Sequence, residues 1–187
     1  MIEKLESLDQ QITLFLNGFH SSFMDQVMWV ITYQYTWVPL YILLLYFLIK
    51  QYPKDWWVWL IGVVLLITAT DQFTSSLLKP WIGRLRPCHD PEISPLIHNY
   101  KKCGGQYSFV SGHSANSFAV ATFFFLLLKD RFRFIWLLFL YAAIVAYSRV
   151  YLGVHYLGDI LIGGIIGCLF AMGFHKLTGK ISGKVRR

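Results

Sequence analysis

The apolar residues of this chain gather in five long runs separated by polar connections. The runs cover residues 37–49, 56–78, 115–128, 134–147 and 160–174. Flanking residues extend the shorter runs towards the roughly 20 residues that a helix needs to cross a bilayer. The pattern therefore predicts a single all-α domain over residues 1–187, an integral membrane helix bundle with about five transmembrane helices.

The first 20 residues follow a different pattern. Apolar residues recur every three or four positions, at Ile2, Leu5, Leu8, Ile12, Phe15 and Phe19. Charged and amide residues fall between them, at Glu3, Lys4, Glu6, Asp9 and Gln10. This arrangement predicts an amphipathic helix over residues 1–20 that lies in the membrane interface. A signal peptide is not expected, because the segment lacks a basic start and an unbroken apolar centre.

A second helix is expected close behind the first. Ser22 is followed three residues later by Asp25, which resembles a capping box and predicts a helix that starts near Phe23. Polar residues at 33–36, followed by Pro39, interrupt the apolar pattern. The sequence therefore leaves open whether this helix continues into the first span.

Composition and charge narrow the class of protein. Of the 187 residues, 56% are hydrophobic and 18% are aromatic, which excludes an ordinary soluble domain. Alternating the five runs across the bilayer collects ten of the 17 cations on one side: Lys50, Lys54, Lys129, Arg131, Arg133, Lys176, Lys180, Lys184, Arg186 and Arg187. By the positive-inside rule this side, and with it the C-terminus, is cytoplasmic. Topology and lipid attraction then explain the net charge of +7, and nucleic-acid binding is not expected.

Segment 148–159 places ionisable residues between two apolar runs, where they are costly unless they have a function. His155 and Asp159 are four residues apart, so they share one face of a helix that begins near His155. The carboxylate can then orient the imidazole ring through one nitrogen and leave the other nitrogen free to attack. Arg149 supplies a guanidinium group suited to two phosphate oxygens. The alternative is a hydrogen-bonded pair at a helix end with no catalytic function.

A second polar segment follows the run at 56–78. Lys79 and Arg86 can converge on a phosphate group, with Pro87 stiffening the turn. Arg84 lies between them and is available to a lipid headgroup instead. The alternative for the whole segment is that its three cations only bind headgroups.

The third segment, Ser111, Gly112 and His113, precedes the run at 115–128. Ser111 is a good helix cap, and Gly112 lets backbone amides approach an anion. His113 stands beside this cradle and can protonate a departing oxygen. The alternative is an ordinary capped helix. Alternating the runs puts all three segments on the same non-cytoplasmic face, so we expect one pocket, with residues 79–114 as its active-site loop region.

The polar loop at 88–108 lies on this same face. Cys88 and Cys103 both fall within it, and an oxidising compartment would permit a disulfide between them, with two free thiols as the alternative. His89 and His98 are expected to be exposed loop histidines without the spacing of metal ligands. Cys168 is expected to pack within the last run.

These residues carry a resemblance to a known family. Three motifs resemble the signatures of the type 2 phosphatidic acid phosphatase, or lipid phosphate phosphatase, superfamily: Lys79-x6-Arg86-Pro87, Ser111-Gly112-His113 and Ser148-Arg149-x5-His155-x3-Asp159. One position departs from the pattern, because Val110 stands where the family usually has proline. The resemblance implies that His155 forms a phosphohistidine, that Asp159 orients it, and that His113 protonates the leaving oxygen. It also implies a set of phosphate ligands, namely Lys79, Arg86, Ser111, the Gly112 amide and Arg149, and no metal or other cofactor.

The expected function is hydrolysis of a terminal phosphate from a membrane lipid at the periplasmic face of a bacterial inner membrane. The resemblance to small bacterial members of this family implies undecaprenyl pyrophosphate, phosphatidylglycerol phosphate, phosphatidic acid or lipid A phosphates as candidates, and the sequence does not rank them. A lipid phosphotransferase with the same intermediate is one alternative. A non-catalytic haem-binding or transport bundle with His113 and His155 as ligands is another. Transport would require polar residues in the middle of the spans, and these are scarce apart from Asp71 near the end of the second span. The oligomeric state is left open.

Overall fold

A computed structural model describes residues 2–183, so Lys184, Arg186 and Arg187 of the predicted cytoplasmic cation set lie outside the described residues. The described residues form eight α-helices: α1 (Ile2–Asn17), α2 (Ser22–Thr32), α3 (Val38–Gln51), α4 (Trp56–Asp71), α5 (Lys79–Ile82), α6 (Gly112–Leu128), α7 (Leu137–Tyr151) and α8 (Leu157–Ile181). A 3-10 turn, Gln34–Trp37, precedes α3, and a π-helix, Gln72–Leu78, joins α4 to α5. The predicted all-α fold is confirmed.

Two continuous helices are long and apolar enough to cross a membrane. They are Trp56–Ile82, with 27 residues, and Leu157–Ile181, with 25 residues. A third span results if Ser22–Thr32 and Gln34–Gln51 are counted together, but these two segments are bent by 68° to each other. The helices α6 and α7 are apolar but shorter. The membrane character is therefore confirmed, while the count of five spans stays a prediction.

Small residues bring α6 and α8 together along the middle of the bundle. A Cβ atom built on Gly167 would lie 2.1 Å from the backbone oxygen of Ala115, and one built on Gly163 would lie 2.7 Å from that of Ser111. Only glycine allows so close an approach between two helices. The first turns of the two helices are also bonded, since Ser114 Oγ donates to the Ile160 oxygen at 2.6 Å. This packing fixes the N-termini of α6 and α8 side by side.

Helix α1 turns its polar side towards the protein and its apolar side outward. Leu5, Leu8 and Phe15 are at least half exposed, whereas Thr13 and Asn17 are fully buried. A helix that lies in the interface is expected to face lipid with such an apolar stripe. Asp9, Thr13 and Asn17 bond this polar side to the bundle, while the charged residues at positions 3, 4 and 6 are exposed.

The predicted cap of the second helix is wrong by one residue. The helix α2 begins at Ser22, and Ser21 is its N-cap, with its side chain accepting a hydrogen bond from the Met24 amide. Asp25 is not used as a capping partner, because its Oδ1 atom binds the His98 ring at 2.9 Å and the Tyr151 hydroxyl at 2.9 Å. Tertiary partners have taken the carboxylate that local capping would have used.

Candidate active site

The three polar segments meet around one cavity at the end of the bundle where α6 and α8 begin. The cavity has a volume of about 430 Å³. Six of the predicted site residues line it: Lys79, Arg86, Gly112, His113, Arg149 and His155. The other two, Ser111 and Asp159, are fully buried. The structure thus brings all eight residues to one end of the fold.

His155 lies in the short connection between α7 and α8, two residues before α8 begins. Gly153 makes this connection tight, with a φ of +70° and a position where a Cβ would meet the His98 backbone oxygen at 2.5 Å. The His155 ring is 1% exposed, and its Nδ1 atom lies 3.4 Å from Asp159 Oδ2. Asp159 Oδ2 also accepts the Tyr156 amide at 2.9 Å. The aspartate therefore fixes both the start of α8 and one side of the imidazole ring.

The environment of His155 keeps its ring uncharged. Burial lowers the pKa of His155 well below its usual value, and the positive charges of Arg86 and Arg149 lower it further. An uncharged imidazole that donates through Nδ1 keeps a lone pair on Nε2. This is the protonation state that a nucleophilic histidine requires.

Two guanidinium groups, those of Arg86 and Arg149, supply donors to the cavity beside His155. Arg86 Nη1 donates to the Val154 oxygen at 3.2 Å and lies 3.5 Å from His155 Nε2. Arg149 donates through Nη1 to Thr32 Oγ1. The Nε atoms of both arginines are buried and have no hydrogen-bond partner among the described residues. Buried donors without partners are costly, so these groups are arranged for an anion.

In the segment that begins α6, one residue caps the helix and the next two line the cavity. Ser111 is the N-cap, as predicted, and its Oγ accepts from the Ser114 amide at 3.4 Å. Its own amide donates to the Asp159 backbone oxygen at 3.1 Å, which ties the two motifs together. Gly112 and His113 line the cavity, and His113 is exposed within it. Ser111 lies behind the cavity wall.

Arg84 has a place that the sequence analysis missed. Its Nη1 donates to Asp159 Oδ1 at 3.0 Å and its Nη2 to Asp9 Oδ2 at 2.8 Å, so it is not left for a lipid headgroup. Burial alone would lower the pKa of Arg84, but Asp159 and Asp9 raise it above its usual value. The guanidinium group also lies 3.8 Å from the centre of the Tyr156 ring. Arg84 therefore joins α1 to the carboxylate behind His155.

Polar residues on one face of helix α1 support the site by bonding to the start of α8. Asp9, Thr13 and Asn17 are spaced by four residues, which puts them on one face of the helix. Asp9 Oδ1 accepts the Gly158 amide at 2.8 Å, and Thr13 Oγ1 accepts the Leu157 amide at 2.9 Å. These two bonds satisfy donors of the first turn of α8 that have no partner within the helix. The spacing is visible in the sequence, but an amphipathic pattern does not indicate which partner the polar side contacts.

The polar loop at 88–108 is held against the helices by a disulfide and by side-chain contacts. A disulfide joins Cys88 to Cys103, with 5.9 Å between their Cα atoms. His98 was expected to be exposed, but it is partly buried, bonded to Asp25 at 2.9 Å and stacked on His20 at a ring distance of 3.8 Å. His89 is exposed, as expected. Within residues 2–183 no three His, Cys, Asp or Glu side chains are grouped so that they could hold a metal ion.

The model of one known protein family matches most of this chain. Residues 57–182 match the family model of the PAP2 superfamily. The chain belongs to the PAP2 superfamily. Among curated members, the lipid A 4'-phosphatase of Bacteroides thetaiotaomicron is 41% identical, with 97% of this chain and 83% of that protein covered. The lipid A 4'-phosphatase of Porphyromonas gingivalis is 32% identical, with 94% and 75% covered.

A solved PAP2 structure shares the fold. The crystal structure of a transmembrane PAP2 type phosphatidylglycerolphosphate phosphatase from Bacillus subtilis superposes with a TM-score of 0.71 at 25% identity. The superposition covers 98% of this chain and 89% of that chain. Helix α1 therefore falls within the part of the chain that this PAP2 structure covers.

Proposed function

We propose that this PAP2 protein hydrolyses the terminal phosphate of a membrane lipid through a phosphohistidine at His155. The observation that carries the proposal is the distance of 3.5 Å between His155 Nε2 and Arg86 Nη1 at the wall of a cavity also lined by Lys79 and Arg149. A phosphate oxygen bound by Arg86 would put the phosphorus atom within reach of the Nε2 lone pair. Both residues would then act on the same phosphoryl group.

In the first step, the Nε2 lone pair of His155 forms a bond to phosphorus while the bond from phosphorus to the leaving oxygen breaks. His113, whose protonated form is favoured by the negative charge of the bound phosphate, donates a proton to that oxygen, so the lipid departs as an alcohol. Charge that spreads over the remaining phosphate oxygens is stabilised by Lys79, Arg86, Arg149 and the Gly112 amide. Asp159 keeps the His155 ring in the tautomer that presents Nε2.

In the second step, water attacks the phosphohistidine. His113, which gave up its proton in the first step, accepts one from the attacking water. The new bond from oxygen to phosphorus forms as the bond from nitrogen to phosphorus breaks, and the electron pair returns to Nε2. Inorganic phosphate leaves, and both histidines regain their starting protonation states.

The surroundings of the cavity fit a lipid rather than a soluble phosphate. Tyr41, Ile67 and Val120 line both the catalytic cavity and an apolar groove of about 340 Å³ between α3 and α4. The hydroxyls of Tyr41 and Tyr141 are bonded at 2.8 Å where the two spaces meet. Beyond them the groove is lined by side chains such as Leu45 and Leu48. A phosphate in the cavity can therefore be continuous with a hydrocarbon chain in the groove.

We place the site on the periplasmic face of a bacterial inner membrane, with the C-terminus in the cytoplasm. The distribution of cations along the chain supports this orientation, because Lys50, Lys54, Lys129 and Lys176 collect opposite the cavity once the spans are alternated. A disulfide between Cys88 and Cys103 beside the cavity is also typical of an oxidising compartment. The relatives named lipid A 4'-phosphatase support a lipid phosphate as substrate.

The test is phosphate release from purified protein with a panel of lipid phosphates. We expect His155→Ala to lower the rate by about three orders of magnitude or more, since removal of a covalent nucleophile has effects of that size. His113→Ala should also be strongly impaired. His89→Ala is the matched control, because His89 is an exposed histidine of the neighbouring loop. Substantial activity in His155→Ala would overturn the assignment of the nucleophile.

The same experiment distinguishes hydrolysis from transfer. Hydrolysis releases inorganic phosphate in an amount equal to the dephosphorylated lipid. A phosphotransferase would instead produce a phosphorylated acceptor with little free phosphate. Rapid quenching should also trap a phosphorylated protein that is stable in alkali and labile in acid, and His155→Ala should not form it.

A further inference from the structure

Asp71 is an acid on the wall of a cavity that is otherwise suited to anions. It is the last residue of α4, and it lines the catalytic cavity together with Ser75 and Asn116. The π-helix that follows Asp71 is a rare element that occurs frequently at functional sites. None of the steps proposed above uses Asp71, although a carboxylate beside the phosphate ligands opposes phosphate binding.

The hydrogen bonds around Asp71 leave two acceptor atoms available. Asp71 Oδ1 accepts from Ser75 Oγ at 3.4 Å and from Asn116 Nδ2 at 3.5 Å. Among the described residues no hydrogen bond reaches Asp71 Oδ2. The Asn116 Oδ1 atom is buried and has no partner in the described part of the chain. A buried polar atom without a partner is costly, so this patch is complementary to a hydrogen-bond donor.

This acceptor patch borders the proposed phosphate cradle. A Cβ atom built on Gly112 would lie 3.7 Å from Asp71 Oδ1 and 3.5 Å from Ser75 Oγ. A fully ionised phosphate carries no donor that could satisfy Asp71 or Asn116, and its charge repels the carboxylate. A substrate group that would complement these acceptors is an O–H or N–H close to the phosphate.

We propose that Asp71 and Asn116 form a subsite for a hydroxyl or amide N–H on the alcohol that carries the phosphate. This inference rests on the proposed function and narrows its substrate class. The subsite favours phosphates on an alcohol that keeps a free hydroxyl or N–H close to the ester carbon, such as the glycerol headgroup of phosphatidylglycerol phosphate or a sugar with an unacylated neighbouring position. It disfavours polyprenyl phosphates, whose hydrocarbon alcohol offers no donor.

Two substrates of opposite kind test the proposal. Phosphatidylglycerol phosphate has a free hydroxyl on the carbon next to the phosphate ester, whereas undecaprenyl phosphate has none. Phosphate release would be measured with both substrates for wild type, Asp71→Asn and Asn116→Ala, and each rate would be divided by the wild-type rate on the same substrate. We expect kcat/KM for the glycerol-linked substrate to fall about tenfold or more in Asp71→Asn. For undecaprenyl phosphate, kcat/KM should be unchanged or higher, because a charge that opposes phosphate binding has been removed.

Control variants and alternative outcomes keep the test decisive. Gln72→Ala is the matched control, because Gln72 follows Asp71 directly but is exposed and bonded to Ser76 outside the cavity. An equal loss of kcat/KM on both substrates would refute the subsite, because Asp71 would then serve only as a counter-charge for Lys79 or as support for the fold. An unchanged kcat/KM on both substrates would refute it as well. Asn116→Ala, which leaves the charge of Asp71 in place, should show the same substrate dependence. If wild type releases phosphate from no lipid of the panel used to test the proposed function, that function fails instead.

Discussion

Replacing Arg84 with alanine tests whether the bridge behind His155 supports the reaction. Arg84 Nη1 lies 3.0 Å from Asp159 Oδ1, and Asp159 is fully buried. Arg84 itself is not among the residues that line the catalytic cavity. The substitution therefore removes a charged donor from the carboxylate that orients His155 without removing any group that we expect to touch substrate. Asp159 keeps its bonds to the Tyr156 amide and the His155 ring through Oδ2.

The size of the effect follows from the bond that is lost. A hydrogen bond to a charged group contributes about 1.5–3 kcal/mol. If this contribution is made in the transition state, its loss lowers kcat about 10- to 150-fold. KM should change little, because the cavity keeps its phosphate ligands. The contact of Arg84 with the Tyr156 ring is also lost, so the melting temperature should fall modestly.

The assay is steady-state phosphate release together with thermal unfolding of the same samples. Arg84→Lys should lose less activity, since it keeps the charge but cannot bond two carboxylates through a planar fork. Arg133→Ala is the matched control, because Arg133 also lies over an aromatic ring but is exposed at the predicted cytoplasmic end. A raised KM with unchanged kcat in Arg84→Ala would show that Arg84 binds a headgroup, and unchanged kinetics would refute the bridge.

Four other predictions address separate parts of the site. Lys79→Ala should raise KM and lower kcat together, and an unaltered rate would remove it from the phosphate ligands. Cys88→Ser should lower the free energy of unfolding by about 2–3 kcal/mol, as measured by denaturant titration, because the bond to Cys103 closes a loop of 15 residues. A cysteine at Gln106, with Cys88 and Cys103 replaced, should react with an impermeant thiol reagent from outside intact cells; labelling only after lysis would reverse the topology. The His155 ring, followed by nitrogen NMR, should stay uncharged as pH falls through about 6.5, because burial lowers its pKa.

The motifs of the candidate site were predictable because each is a short segment whose residue types indicate its chemistry. His155 and Asp159 needed only a spacing of four, and the helix cap at Ser111 needed only a local rule. Their meeting at one end of the fold followed from alternating the apolar runs. The approach of α6 to α8 through Gly163 and Gly167 was less visible, because a glycine in a helix does not reveal which neighbour it admits.

The supporting contacts could not be predicted because they are long-range. Asp9 and Arg84 are separated by 75 residues, and nothing local to either one indicates the other. The same holds for Asp25, whose carboxylate is drawn away from a capping position by His98 and Tyr151. Amphipathicity showed correctly that α1 has two faces. It could not show that Asp9, Thr13 and Asn17 on the polar face would bond to the bundle, because a polar face in contact with water has the same sequence pattern.

Because of the orientation of α1, we expect the contacts behind His155 to be sensitive to the lipid or detergent around the protein. Leu5, Leu8 and Phe15 are exposed on the outer side of a helix whose inner side holds Arg84 and the first amides of α8. Detergent that replaces lipid along that outer side acts on a helix only two ion pairs away from Asp159. Turnover measured in micelles and in bilayer discs should therefore differ more than the thermal stability of the bundle does, and rates of related enzymes are comparable only in the same amphiphile.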